Sequence, residues 1–192
     1  MKSLGRYWLA FTLVAAAFLL SLTLYRSLPQ TIAIHWNAQG PDGWAPKHEG
    51  AFITPGFSGI LVGFLILIAP WALDDEENSG ARLKAFYYPT IVAAVAGFAF
   101  YLNASMLLTA VGIHLNITSD AIIGAGLLFV IVGHALSNVH QYRAEGFPDP
   151  YTPPDTGRSA RTPQVAGRLL MLTGTMVVLV ELFDSILLHR LA

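Results

Sequence analysis

The chain has 192 residues, a formal net charge of −1, and only 12% charged against 54% hydrophobic residues. Soluble domains carry about 25% charged residues, so this is the composition of a membrane protein, and a charge near zero gives no electrostatic support for nucleic-acid binding. The absence of cysteine excludes disulfides, thiolate metal sites and cysteine catalysis.

A helix that crosses a bilayer needs about 20 mostly apolar residues. The first such stretch runs from Tyr7 to Tyr25, with nothing more polar inside than Thr12, Ser21 and Thr23. Lys2 and Arg6 flank it as the basic region of a signal peptide would. The apolar run is too long for that, and Leu22 to Arg26 offers no small-x-small cleavage site, so it reads as an uncleaved anchor.

The following loop, Arg26 to Thr54, is patterned rather than plain. Thr31 to Trp36 is β-prone, with Ile32 and Ile34 on one face. Asn37 to Gly43 has turn chemistry. The expectation is a short extended segment followed by a compact turn on the membrane surface, with Trp36 and Trp44 at headgroup level. His35, Asn37 and Asp42 bring an imidazole, an amide and a carboxylate together. A metal site needs three or more converging ligands. Local side-chain-to-backbone bonds that hold the turn are therefore the simpler reading, with the exposed face left open to a partner.

Four more spans follow. The second is expected from Pro55 to Leu73, and the third from Ala85 to Ile113, opening on the aromatic belt Phe86, Tyr87 and Tyr88. The fourth, Ala121 to Leu136, is glycine-rich. Gly124, Gly126 and Gly133 allow close helix contact within one chain or between chains, so a homo-oligomer stays open. His134, near its inner end, reads as a hydrogen-bonded packing residue. The loop from Ser137 to Gln164 holds Pro148, Pro150, Pro153 and Pro154, which rule out a regular helix there. The fifth span, Val165 to Leu188, carries Glu181 and Asp184 on one face. An acid at mid-membrane costs about 2.5–3.5 kcal/mol on insertion scales, so the expectation is that Glu181 faces Asn103, Ser105 and Thr109 of the third span. The simpler alternative, for Asp184 above all, is solvation at the outer interface.

Lysine and arginine give the spans a direction. Lys2, Arg6, Arg82, Lys84, Arg143, Arg158, Arg161 and Arg168 fall on one side, and only Arg26, Lys47 and Arg190 on the other. The positive-inside rule then places the N-terminus in the cytoplasm and the C-terminus outside. The fold class expected is an all-α integral membrane protein: a five-helix bundle with one structured extracytoplasmic loop.

The first loop resembles the signature of a widespread bacterial domain of unknown function, approximately Leu-Pro-x-x-Ile-Pro-x-His-Phe-Asn-x-x-Gly, then Pro-Asp-Gly and a Lys. Leu28, Pro29, Ile32, His35, Asn37, Gly40, Pro41, Asp42, Gly43 and Lys47 match, while Trp36 replaces Phe and Ala33 replaces the second Pro. The later chain is similar to the second module of SdpI-like proteins, named for immunity against a sporulation-delay toxin. Gly133, Leu136, Asn138, Gly146, Pro150, Tyr151, Thr152, Thr162 and Gly167 keep a compatible register. His134, Pro148, Asp149, Ser159 and Pro163 depart from that pattern.

The resemblance implies an anchor-plus-loop module over 1–56 and a four-helix module over 57–192. It implies a non-enzymatic protein of a prokaryotic plasma membrane, without cofactor, that serves toxin immunity, envelope-stress sensing or signalling. Its partners would be the lipid bilayer and a peptide toxin or another membrane protein. His35, Trp36, Asn37, Gly40, Asp42, Gly43 and Lys47 would make the outer contact, and Gly146, Pro150, Tyr151, Thr152, Thr162 and Gly167 the inner loop motif. Two other readings stand beside it: a small transporter or membrane enzyme using Glu181 and Asp184, and a structural subunit of a larger complex.

Overall fold

A computed structural model describes residues 4–37, 39–73, 79–138 and 161–191. Among them run a short 3-10 turn and five helices: α1 (Trp8–Leu24), α2 (Lys47–Leu73), α3 (Ser79–Ala110), α4 (Ile117–Asn138) and α5 (Arg161–Leu191). Each provides a stretch of at least 21 residues long and apolar enough to cross a membrane, the first only together with the 3-10 turn before it (Leu4–Leu24). The protein is thus a five-span helical membrane bundle.

Between α1 and α2 the chain forms two antiparallel strands, β1 (Thr31–Asn37) and β2 (Gly40–Pro46). This corrects the expected surface turn. Pro41, Asp42 and Gly43 belong to a strand, paired with Trp36 and His35 through an irregular register. The reversal itself is confined to the tip, where Gly40 takes a φ of 118°, a conformation that costs residues with a Cβ far more than glycine. Gly43 faces His35 so closely that an added Cβ would sit 2.7 Å from the His35 Cβ.

Helix boundaries also move. α2 begins at Lys47, eight residues before the expected start, because the strand leads directly into helix through the bond from Lys47 N to Gln30 O (2.9 Å). Pro55 therefore lies inside a helix and leaves one backbone carbonyl without its usual donor. The fifth helix likewise begins at Arg161, four residues before the expected start, so Thr162 is helical rather than part of a loop.

The core has two parts. Towards the N-terminal end of α1, Tyr7, Ala10, Val62, Ala69, Val92 and Ala96 pack α1, α2 and α3 together. At the other end, Leu28, Ile32, Ala51, Met106 and Leu107 seal the hairpin onto α2 and α3. Gly50 makes this close seating feasible, since a Cβ there would meet Ile32 at 2.7 Å. α5 packs mainly on α4. Their seam is built on glycines: a Cβ at Gly133 would lie 2.6 Å from Gly167 O, and one at Gly126 2.9 Å from Gly174 O. Without a hydrophobic force between helices in lipid, such close backbone approach supplies the packing that holds the pair.

Candidate functional site

The hairpin is held by a clasp centred on Asp42. His35 Nδ1 donates to Asp42 Oδ1 at 2.6 Å, Asn37 Nδ2 donates to Asp42 Oδ2 at 2.9 Å, and the Gln39 amide donates to Asn37 Oδ1 at 2.8 Å. Both carboxylate oxygens are thus engaged across the strands. The hydrogen bond from His35 holds the Asp42 carboxyl below its usual range; desolvation opposes it, and the charge of His35 and the amide of Asn37 add smaller lowering effects. Of these bonds only the one from the Gln39 amide to Asn37 is of the expected side-chain-to-backbone kind; the other two join side chains across the strands.

The hairpin does not stand free. Thr118 Oγ1 donates to the Asn37 carbonyl at 3.3 Å, tying the tip to the start of α4, which Asn116 caps by accepting from the Ser119 amide. Lys47 closes the other side, its ammonium 5.1 Å from the Tyr25 ring centre. Between the hairpin and the α3–α4 connection lies a cleft of about 640 Å³. Trp36, Gly40 and Trp44 line it from the hairpin; Thr109, His114 and Asn116 line it from the opposite wall. Trp44 is 59% exposed, although an indole gains by burial. The Thr109 hydroxyl is buried and has no hydrogen-bond partner, an arrangement that costs about 1–3 kcal/mol. A cleft lined by Trp36 and Trp44 on one side and by His114 and Asn116 on the other can receive an amphipathic group.

His35, Trp36, Asn37, Gly40, Asp42, Gly43 and Lys47 are therefore assembled in one hairpin with its continuation into α2. Thr109, His114 and Asn116 on the far wall were not read as contact residues. The only signal for His114 and Asn116 was their position just past the third span, and Thr109 was read as a polar group within it.

The intramembrane polar residues are not brought together. Asn103 is fully buried, and its Nδ2 donates to Ala17 O at 3.3 Å and Ser21 Oγ at 3.4 Å, linking α3 to α1. Glu181 does not face this group, because α5 seats against α4 while Asn103 is enclosed by α1. Asp184 is exposed and Glu181 half-buried. His134 is exposed, and Asn138, one turn on, donates to its Nε2 at 2.9 Å. Gly167 is buried in the α4–α5 seam. Gly146, Pro150, Tyr151 and Thr152 lie outside the described residues.

Residues 12–59 match the family model of a domain of unknown function, DUF1648. The stretch covers the anchor helix, the hairpin and the start of α2. Over 177 residues, 92% of this chain and 82% of the relative, the sequence is 23% identical to immunity protein SdpI of Bacillus subtilis strain 168. No solved structure matches the chain significantly.

Proposed function

Starting from a membrane protein of the SdpI-like family, we propose that this chain is a non-enzymatic receiver of an extracytoplasmic ligand, serving immunity to a peptide toxin. In this reading residues 1–56 form the receiving module and 57–192 the module that responds, with the N-terminus in the cytoplasm. The relative's name supplies the immunity role; the cleft between hairpin and bundle supplies the site. The observation that carries the reading is the pair Trp36 and Trp44 lining that cleft, with Thr109, His114 and Asn116 on its other wall.

The hairpin would hold the cleft's shape and the Asp42 clasp would keep the hairpin rigid. Ligand that wedges between hairpin and α4 would strain the Thr118–Asn37 contact, which connects the outer site to the α4–α5 pair and thereby to the inner loop. A transporter or enzyme built on Glu181 and Asp184 has less support, since neither residue lines the hairpin cleft.

The test uses cells that lack their own SdpI, carry this chain and are challenged with the sporulation-delay toxin. Protection is expected from the natural chain. Losing an aromatic hot spot costs about 2 kcal/mol or more, roughly 30-fold in affinity, so Trp44→Ala should shift the protective dose strongly at equal membrane abundance. No protection by the natural chain defeats the immunity reading. Full protection by Trp44→Ala and Trp36→Ala defeats the cleft.

A further inference from the structure

A second cavity, of about 1200 Å³, opens sideways in the wall of the bundle. Its floor is α3 from Pro89 to Tyr101, and its walls are the start of α1 and the stretch of α4 from Ile123 to Ile131. The floor is low because Ala93, Ala94 and Gly97 are small. A Cβ on Gly97 would meet nothing nearer than Leu13 Cδ1 at 3.8 Å, so the space above it is open.

The two ends differ. Towards the hairpin end of the bundle α4 closes onto α3: a Cβ at Gly124 would meet the Phe98 ring at 2.8 Å and Tyr101 at 3.1 Å. At the opposite end Arg6 lines the opening. Arg6 is exposed and forms no ion pair among the described residues. The floor from Pro89 to Tyr101 is about 18 Å long at 1.5 Å per residue. That is close to one leaflet, about half of a 30 Å hydrocarbon core. A transmembrane partner helix needs the whole thickness and would collide with the closed end.

We propose that this groove binds one negatively charged glycerophospholipid from the leaflet at the Arg6 end. Its acyl chain lies along Ala93, Ala94 and Gly97, and its phosphate is held by the Arg6 guanidinium. Three features converge on this occupant. The groove is apolar, as an acyl chain requires. It ends after one leaflet. Its open mouth carries Arg6, which has no ion-pair partner among the described residues and whose planar donors suit a phosphate, and basic pockets between spans are known to recognise anionic headgroups. The reading does not depend on the toxin proposal, which concerns the other end of the bundle.

The test is native mass spectrometry of the full chain released from micelles with equal phosphatidylglycerol and phosphatidylethanolamine. One lipid should be retained, with phosphatidylglycerol favoured by about fivefold, the effect of one basic side chain near an anionic headgroup. Arg6→Gln should abolish the preference while lipid is still retained. Gly97→Leu, or Ala94→Leu if the former does not fold, should reduce retention of both lipids. Arg168→Gln, on an exposed side chain outside the groove, should behave as the natural chain. Equal retention of the two lipids, a preference that survives Arg6→Gln, or undiminished retention in a folded floor variant overturns the proposal. So does displacement of the lipid by millimolar inorganic phosphate alone, which would make this a site for the free anion, or by a second copy of the chain.

Discussion

Replacing Gly133 by alanine probes the α4–α5 seam with a single methyl group. The new Cβ would lie 2.6 Å from Gly167 O and 2.7 Å from Met171 N. Both are backbone atoms, so no change of rotamer relieves the contact and α5 must retreat by the better part of an ångström. A gap of about 0.5–1 Å forfeits a quarter to a half of the dispersion attraction along the seam, and overpacking typically costs about 1–3 kcal/mol. Against this, alanine gains roughly 0.8–1 kcal/mol over glycine in a helix. The net effect expected is a loss of up to about 2 kcal/mol, obtained as the difference of those two terms. Gly63 on α2 is the control, since a Cβ there meets nothing within 4 Å; Gly63→Ala should stabilise by up to about 1 kcal/mol. Unfolding of both variants in detergent, followed by circular dichroism, measures the difference. If Gly133→Ala is as stable as Gly63→Ala, the helices are not in backbone contact and the reasoning fails. The double variant Gly133→Ala with Gly167→Ala should cost less than the two single losses together, because the first methyl already separates the helices.

Three further outcomes follow from the geometry. The folded Asp42 carboxyl titrates below its ordinary 3.8, so its contribution to hairpin stability is complete above that pH and is lost as pH falls through the depressed value. Exchange protection of the Gln39 amide should therefore persist at mildly acidic pH and fall only in strong acid, and Asp42→Asn should remove that dependence; a midpoint above 3.8 in the natural chain would contradict the clasp. Asn103→Ala should lower stability by about 0.6 kcal/mol, up to about 1.7, as membrane-buried hydrogen bonds do, and adding Ser21→Ala should cost little more because both remove one contact; full additivity in a double-mutant cycle would sever the pair. Gly43→Ala should loosen the hairpin through its collision with His35 while leaving the bundle folded; unchanged amide exchange at Gln39 would count against the strand register.

The five spans were legible because a bilayer imposes a length and a polarity that no other solvent imposes. Their ends were less so. Lys47, His48 and Glu49 are polar but helical, and a hydropathy argument cannot see a helix that begins in water. The second strand was hidden by its own composition. Gly40, Pro41, Asp42 and Gly43 read as a turn on local propensity, yet cross-strand bonds from His35 and Asn37 override it. The clasp residues were nonetheless the right ones, since short polar side chains in a reversal bond locally. Glu181 was misplaced for a different reason: position in a span fixes depth but not which neighbour the residue turns towards. The seam was half legible. Gly126 and Gly133 announced close packing, but their partners Gly167 and Gly174 carry the same seven-residue spacing, and that match went unread because Gly167 was read only as the end of the inner loop motif.

The central claim is that the hairpin and the α3–α4 connection face the outside of the cell while the N-terminus and the α2–α3 and α4–α5 loops face inward. Because the chain has no cysteine, single cysteines introduced as Gln39→Cys, Asn78→Cys and Ser159→Cys report their side without background. Intact cells are treated with a membrane-impermeant maleimide, then compared with lysed cells. The account predicts labelling of the Gln39→Cys chain in intact cells, and of the other two only after lysis. Protection of position 39 in intact cells, with labelling at 78 or 159, would reverse the topology and remove the basis for an extracytoplasmic site.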